Sequence, residues 1–273
     1  MINNYRFELS FKTLDQLKKK IEFCVTKNIK SINIPCKGVI KKEFLIEVIE
    51  FIGKNYSQLD VIYHYSLFHQ FSRTNEKSYE EFLRFIQECK KYKNKEILLI
   101  SGTKKRKNFE VIDVLHKIRD INNFKLNLGV AYNPYYSNRD DMDKERKNLI
   151  EKINSGLIYS IWLQFGSDVN LLNNQINFLN KIICRSPNRS KNKIKIYGSL
   201  FIPSKQFLAR FRFRPWRGVF LDDKYLNSLE YSEQITKNIM NIYLKNNIIP
   251  LIETDCSSIK QYKNLLEFDK NNF

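Results

Sequence analysis

One stretch of the chain, residues 125–165, strongly limits what the whole can fold into. It begins with an apolar run that ends at Asn133-Pro134, continues as a charged amphipathic segment to Ser155-Gly156, and closes with a second apolar run that ends at Gln164. A strand, a crossover helix and a second strand form a βαβ unit with parallel strands. The polar residues stand where the strands end, which is the edge at which parallel α/β folds bind ligands.

The same alternation of a short apolar run and an amphipathic helix recurs along the chain. The predicted strands cover residues 5–11, 31–35, 60–66, 96–102, both ends of 125–165, part of 193–203, and 248–253. The predicted helices include residues 14–27, 44–52, 78–92, 110–121, 170–183, 231–246 and 259–268, the third of which begins with a capping-box pattern at Ser78 and Glu81. About eight repeats without a linker predict one domain, residues 1–273, folded as a (β/α)8 TIM barrel. No G-x-G-x-x-G sequence follows a strand, which disfavours an open Rossmann-type sheet.

The charge of the chain limits its partners. A formal net charge of +18 and a pI near 9.6 suggest an anionic partner. The basic residues are scattered over predicted helix faces, and a biased genome would also produce a chain rich in Lys, Asn and Ile. We therefore expect a basic rim around an acidic small molecule rather than nucleic-acid binding, although residues 211–217 alternate aromatic and basic side chains.

Other features of the sequence concern location and metals. The cysteines, Cys24, Cys36, Cys89, Cys184 and Cys256, are odd in number and form no CxxC pair, which predicts reduced thiols in a cytoplasmic protein. The N-terminus does not resemble a signal peptide, and no run approaches the roughly 20 apolar residues of a membrane span. No metal is expected, because no His, Asp or Glu cluster has the spacing of metal ligands. A homo-oligomer is left open.

Functional side chains of such a barrel lie at the C-terminal ends of its strands. The polar residues at these positions are Glu8, His64, Ser101-Gly102-Thr103, Tyr132-Asn133, Gln164, Ser199 or Ser204, and Glu253 with Asp255. If Glu8 faces the apolar mouth rather than solvent, we expect a raised pKa that suits a proton donor. His64 stands among aromatic residues and is equally a candidate for a hydrogen-bonded core histidine. Gln164 needs partners at both ends of its amide, and a ligand would supply one.

The order and spacing of several short sequences resemble methylenetetrahydrofolate reductase over about residues 5–205. They are FELS at the first strand, YHYS at the third, LLISG at the fourth, GVAYNP at the fifth, NLIEKINSG at the next helix end, and the strand that ends at Gln164. The resemblance implies reduction of 5,10-methylenetetrahydrofolate to 5-methyltetrahydrofolate with NADH or NADPH, a step of one-carbon metabolism and methionine biosynthesis. The implied partners are a folate, with or without a polyglutamate tail, and a nicotinamide nucleotide.

The resemblance also implies roles for individual residues. Glu8 matches the general acid of the family, and Gln164 matches the amide that hydrogen-bonds the pterin. Ser204 and Gln206 are assigned to the substrate as well. The positions assigned to the flavin cofactor, FAD, are His64, Ser101, Gly102, Thr103, Ala131, Asn133, Asn148 and Lys152.

Departures from the family pattern fall mainly on the flavin side. Ser101-Gly102-Thr103 stands where the family has Arg-Gly-Asp, which removes a carboxylate, and Glu151 replaces an arginine. Leu163 replaces the threonine before Gln164, and residues 211–218 have no counterpart. Since one branch of the family works without flavin, both FAD and direct hydride transfer from nicotinamide remain open. So do two other functions, a non-redox folate-binding or methyl-transfer barrel and a basic nucleic-acid-binding protein.

Overall fold

The strands of the protein form a closed barrel. A computed structural model describes residues 5–38, 40–102, 109–119, 121, 126–185, 194–254 and 262–263. Within them, eight parallel strands pair in chain order, and the last pairs with the first. The strands are β1 (Arg6–Glu8), β2 (Ser31–Ile34), β3 (Asp60–Ser66), β4 (Glu96–Ile100), β5 (Asn127–Tyr132), β6 (Ile158–Leu163), β7 (Lys195–Leu200) and β8 (Ile249–Ile252). The predicted (β/α)8 TIM barrel is confirmed.

Helices surround the barrel and cover the outer face of the strands. They are α1 (Leu14–Thr26), α2 (Lys42–Asn55), α3 (Asn75–Lys91), α4 (Val111–Arg119), α5 (Arg139–Asn154), α6 (Val169–Arg185), α7 (Lys205–Phe213), α8 (Asp223–Asn227) and α9 (Leu229–Lys245). The helix predicted at residues 259–268 lies almost wholly outside the described residues. Among the described helices, none is long and apolar enough to cross a membrane.

The start of α3 differs from the prediction, and its capping residue explains why. The helix begins at Asn75 with Thr74 as its N-cap, whose hydroxyl oxygen accepts a hydrogen bond from the Lys77 backbone N–H at 3.2 Å. The predicted capping box at Ser78 is therefore wrong. Ser78 is buried inside the first turns, and its hydroxyl donates to the Thr74 carbonyl oxygen at 2.6 Å. Two residues suited to an N-cap lie one turn apart here, and the earlier one begins the helix.

The barrel interior has its own apolar layer, separate from the core between strands and helices. It consists of Ile62, Leu98, Trp162, Tyr197 and Leu251. The rings of Trp162 and Tyr197 stack with centroids 3.9 Å apart and an interplanar angle of 14°. Gly129 provides the space for this arrangement, because a Cβ atom there would lie 2.5 Å from Nε1 of Trp162. This layer forms a floor beneath the polar residues at the strand ends.

We expect Gly129→Ala to lower the free energy of unfolding by about 1–3 kcal/mol, because the added methyl group overlaps Trp162 and Ser160 in a closely packed interior. Urea denaturation of both proteins measures the change. Gly38→Ala is the matched control, since the nearest atom to its Cβ, Cε1 of His69, is 3.3 Å away. Equal stability of Gly129→Ala and the parent protein would contradict the packing described for the floor.

Candidate active site at the barrel mouth

A cavity of about 480 Å³ opens at the C-terminal ends of the strands. Its volume lies within the range of about 300–1,000 Å³ that is usual for small-molecule sites. Leu98, Trp162 and Leu251 of the floor line it from below. The side chains around it include both acids and bases, so the cavity combines an apolar base with a polar rim. The ionisable ones are Glu8, Cys36, Lys37, His64, Tyr132, Tyr136, Glu145, Lys152, Arg217 and Glu253.

Most of the residues predicted for the site are brought together in this cavity. Those that line it are Glu8, His64, Ser101, Gly102, Ala131, Asn133, Lys152 and Gln164. Asn148 lies half-buried on α5 and is not among the lining residues. Ser204 and Gln206 are exposed at the start of α7, where the hydroxyl oxygen of Ser204 caps the helix by accepting from the Phe207 N–H at 3.1 Å. Thr103 and Asp255 lie outside the described residues.

Several lining residues were not assigned from the sequence. Lys37 and Cys36 belong to the loop after β2, Tyr136 and Glu145 come from the loop and helix after β5, and Arg217 follows α7. None of them is the last residue of a strand, so the expectation that functional side chains lie at strand ends did not identify them. Arg217 alone had a signal, because it belongs to the stretch in which arginines and aromatic residues alternate.

Glu8 is paired with a lysine. It is 8% exposed, and its Oε1 lies 2.9 Å from Nζ of Lys37, which also donates to the Ser10 hydroxyl at 2.6 Å. Burial lowers the pKa of Lys37, but the charge and hydrogen bond of Glu8, together with the charge of Glu253, outweigh burial and raise that pKa overall. Lys37 therefore remains protonated and keeps a positive charge beside Glu8.

A chain of hydrogen bonds fixes the protonation state of His64. The Arg6 guanidinium can only donate, so Oδ1 of Asn33 accepts from its Nε at 2.7 Å and the Asn33 amide N–H faces Nε2 of His64 at 2.8 Å. Nε2 is thus the acceptor, and the proton is on Nδ1, which lies 4.0 Å from Oε2 of Glu8. Burial lowers the pKa of His64 to about 4, with Lys37 and Arg6 adding to the effect and Glu8 opposing it. The ring is neutral at pH 7, and His64 is both a buried, hydrogen-bonded histidine and part of the cavity wall.

Glu253 is a second carboxyl group in the barrel mouth, and its pKa is raised. This residue follows β8, and its side chain accepts a hydrogen bond from the Ser199 hydroxyl. Burial and the charge of Glu8 raise the pKa of Glu253 to about 8, against the opposing effects of Ser199 and Lys37. With a pKa of about 8, Glu253 is mostly protonated near neutral pH. A proton held in this way is available for acid catalysis.

Gln164 presents hydrogen-bond donors to the cavity. Its Oε1 accepts from the Phe165 backbone N–H at 2.9 Å, which fixes the orientation of the amide. Its NH₂ group has no hydrogen-bond partner within the described part of the chain, and the residue is half-buried in the cavity wall. This leaves one end of the amide available to a ligand, and binding of a ligand there remains a prediction.

The side of the cavity assigned to FAD is occupied by contacts within the protein. Oδ1 of Asn133 accepts from the Tyr135 N–H at 3.1 Å, and its Nδ2 donates to the Gly218 carbonyl oxygen at 2.9 Å. Asn148 does not line the cavity. Nζ of Lys152 lies 3.5 Å from the Ala131 carbonyl oxygen, and burial lowers the pKa of Lys152 despite the opposing charges of Glu145 and Glu110. Of the positions assigned to FAD, Asn133 is thus engaged by protein contacts and Asn148 is outside the cavity wall.

The described residues offer neither a metal site nor a disulfide. No group of three or more His, Cys, Asp and Glu side chains among them could hold a metal ion. Cys24, Cys36, Cys89 and Cys184 are free thiols, and Cys256 lies outside the described residues. Cys36 lines the cavity, where burial raises the pKa of its thiol, so the group is protonated near neutral pH.

Comparisons with known proteins identify the fold and no family. No protein-family model matches the chain, and no curated protein matches it. Among solved structures, the catalytic domain of a chitinase from Pyrococcus furiosus is similar, with a TM-score of 0.58 and 10% identity over 98% of this chain and 96% of that chain. Yersinia pestis DHPS, solved with a pterine–sulfa conjugate, has a TM-score of 0.51 and 11% identity over 98% and 92%. Likeness at this level shows a shared barrel architecture.

Glu253 should make the stability of the fold depend on pH. Its pKa in the folded state is about 8, above the ordinary 4.5, so the folded state holds this proton more tightly than the unfolded chain does. The stabilisation is complete below about pH 4.5 and is lost as the pH rises through about 8. We expect Glu253→Gln to gain stability relative to the parent protein between about pH 5 and 9, by a few kcal/mol at about 1.4 kcal/mol per pKa unit.

Urea denaturation at a series of pH values measures this difference. Glu47→Gln, on the exposed face of α2, removes the same charge from a solvated position and should show a difference that hardly changes with pH. A difference between Glu253→Gln and the parent protein that stays constant across this range would contradict the raised pKa of Glu253.

Proposed function

We propose that the protein is a folate-reducing barrel enzyme that converts 5,10-methylenetetrahydrofolate to 5-methyltetrahydrofolate with NADH or NADPH. The observation that carries the proposal is that two carboxyl groups, Glu8 and Glu253, line one cavity above an apolar floor, where burial raises the pKa of Glu253 to about 8. The donor-bearing amide of Gln164 lines the same cavity. The resemblance to methylenetetrahydrofolate reductase assigns Glu8 and Gln164 to these roles independently. The likeness to DHPS adds that a barrel of this architecture accepts a pterin-type ligand.

The proposed first step is proton transfer to the folate. Its five-membered ring opens when one of the two nitrogens on the methylene carbon takes a proton and its bond to that carbon breaks. The product is an iminium cation on the other nitrogen. We assign delivery of this proton to Glu8, and Glu253, which is mostly protonated near neutral pH and lines the same cavity, can resupply it. The ionised carboxylates then stabilise the cation. Lys37 keeps Glu8 in place through their 2.9 Å ion pair.

The second step is hydride addition to the iminium carbon. Hydride from the nicotinamide neutralises the cation and gives the methyl group, while the nucleotide leaves in its oxidised form, so charge and electrons balance. The NH₂ group of Gln164 donates to the pterin and fixes its position above Trp162. Holding donor and acceptor in a fixed geometry supplies much of the rate acceleration.

We propose further that hydride passes directly from nicotinamide to the folate, without flavin. The poor fit of Asn133 and Asn148 to a flavin supports this version. We expect the purified protein to lack the visible absorption of oxidised flavin and to consume NADH or NADPH when methylenetetrahydrofolate is added. Added FAD should not change the rate. A bound flavin whose removal abolishes activity would overturn direct transfer and leave folate reduction standing.

Glu8→Gln should reduce turnover by about 10²–10⁴-fold, because the amide cannot donate the proton in the same way, while folate affinity changes little. Steady-state NADPH oxidation gives the rate, and equilibrium dialysis with folate gives the affinity. Glu47→Gln serves again as the control, since it removes an exposed carboxylate far from the cavity lining. Full activity of Glu8→Gln would remove Glu8 from its assigned role.

The same assays separate the alternatives drawn from the sequence. Folate binding without any oxidation of NADH or NADPH would favour a non-redox folate-binding or methyl-transfer barrel. Absence of folate binding, together with nucleic-acid affinity that falls steeply as salt rises, would favour a nucleic-acid-binding protein.

A further inference from the structure

The loop between α7 and α8 contains Trp216, which is 43% exposed but packs against three phenylalanines. The ring of Trp216 lies edge-on against Phe201, Phe207 and Phe211, with centroids 5.3, 5.9 and 5.8 Å away. The rings of Phe201 and Phe207 are themselves stacked at 5.1 Å. Edge-to-face contacts of this kind add to the stabilisation from buried area. The first half of the loop is therefore fixed to the outer part of the barrel next to β7.

The second half of the loop is fixed to other elements. Gly218 has a φ of +80°, which allows the tight turn closed by the Val219 N–H on the Trp216 carbonyl oxygen at 3.1 Å. The Gly218 carbonyl oxygen accepts from Nδ2 of Asn133 at 2.9 Å. Phe220 pairs with Gly166, and its carbonyl oxygen accepts from the Ser167 N–H at 3.0 Å. The turn is thus attached to the ends of β5 and β6.

Arg217 lies between these two attachments. It lines the cavity together with Gly218, and its guanidinium forms no hydrogen bond or ion pair with any residue in the described ranges. The other two cations of the cavity wall differ from it, because Lys37 is paired with Glu8 and burial lowers the pKa of Lys152. A guanidinium on a rigid loop, with all its donors available, matches the geometry of a carboxylate.

We propose that Arg217 is an anion-binding residue that receives a carboxylate of the ligand, so that the substrate is an acidic molecule reaching from Glu8 to this loop. The proposal rests on the proposed function, under which the carboxylate belongs to the glutamyl part of the folate. The contacts on either side fix the backbone of the loop before the ligand binds, so the exposed Arg217 side chain is the part that must be ordered on binding. This gives residues 211–218, which have no counterpart in the resembled family, a role in substrate recognition.

Equilibrium dialysis with folate and with pteroate, which lacks the glutamyl part, tests the proposal. We expect the parent protein to prefer folate by about tenfold or more, and Arg217→Gln to lose most of that preference. Arg217→Lys should keep part of it, because lysine retains the charge without the planar fork. Arg214→Gln removes an equal charge from an exposed position outside the cavity lining and should keep the full preference.

Each of the other outcomes would overturn the proposed carboxylate site. Equal binding of folate and pteroate by the parent protein, or an equal loss in Arg214→Gln, overturns the carboxylate site and leaves the proposed function intact. Weaker binding of NADPH by Arg217→Gln, with the folate preference unchanged, assigns the arginine to the phosphates of the nucleotide and also overturns it. Failure of the parent protein to bind either pterin overturns both proposals.

Discussion

The arrangement of the barrel mouth depends on a charge buried beneath it. Arg6 is 4% exposed, and its guanidinium donates to the Asn33 side chain, to the Ile32 carbonyl oxygen at 2.8 Å and to both the carboxylate and the carbonyl oxygen of Asp60. A buried charge is tolerated when its donors are satisfied in this way, and removing a partner leaves a costly unpaired group. These bonds join the first three strands and fix the Asn33 amide. The Asn33 amide in turn determines which nitrogen of His64 carries the proton. The Nδ1–H that lies near Glu8 is therefore a consequence of the hydrogen bond between Arg6 and Asn33.

The two carboxyl groups of the mouth differ because their surroundings differ. Glu8 has a lysine at 2.9 Å, whereas Glu253 has only the Ser199 hydroxyl as a hydrogen-bond donor among the described residues. Burial without a paired cation raises the pKa of Glu253, and the charge of Glu8 raises it further.

The sequence predicted the features that depend on local pattern. Strand β3 has the predicted bounds of residues 60–66, and Glu8 and Gln164 lie in the cavity wall because strand ends converge at one edge of a barrel. It did not predict the positions of Lys37 or Arg217, since loop residues reach the cavity through contacts distant in the chain, such as Asn133 with Gly218. Nor did it predict that Lys37 pairs with Glu8 while Glu253 is left without a paired cation among the described residues. Which acid lacks a paired cation depends on where the loop after β2 directs Lys37.

The net charge of the whole chain does not determine the charge of the cavity wall. Among the described residues, the wall contains three cations, Lys37, Lys152 and Arg217, and three carboxyl groups, Glu8, Glu145 and Glu253. With Glu253 mostly protonated near neutral pH, the wall has more cations than ionised carboxylates. The remaining excess of the +18 charge lies elsewhere, where salt screens it over about 8–10 Å. The charge on the outer surface can therefore attract anions to the protein, whereas the position of a bound anion depends on the cations of the cavity wall. Of these three cations, Arg217 is the one without a protein partner in the described ranges.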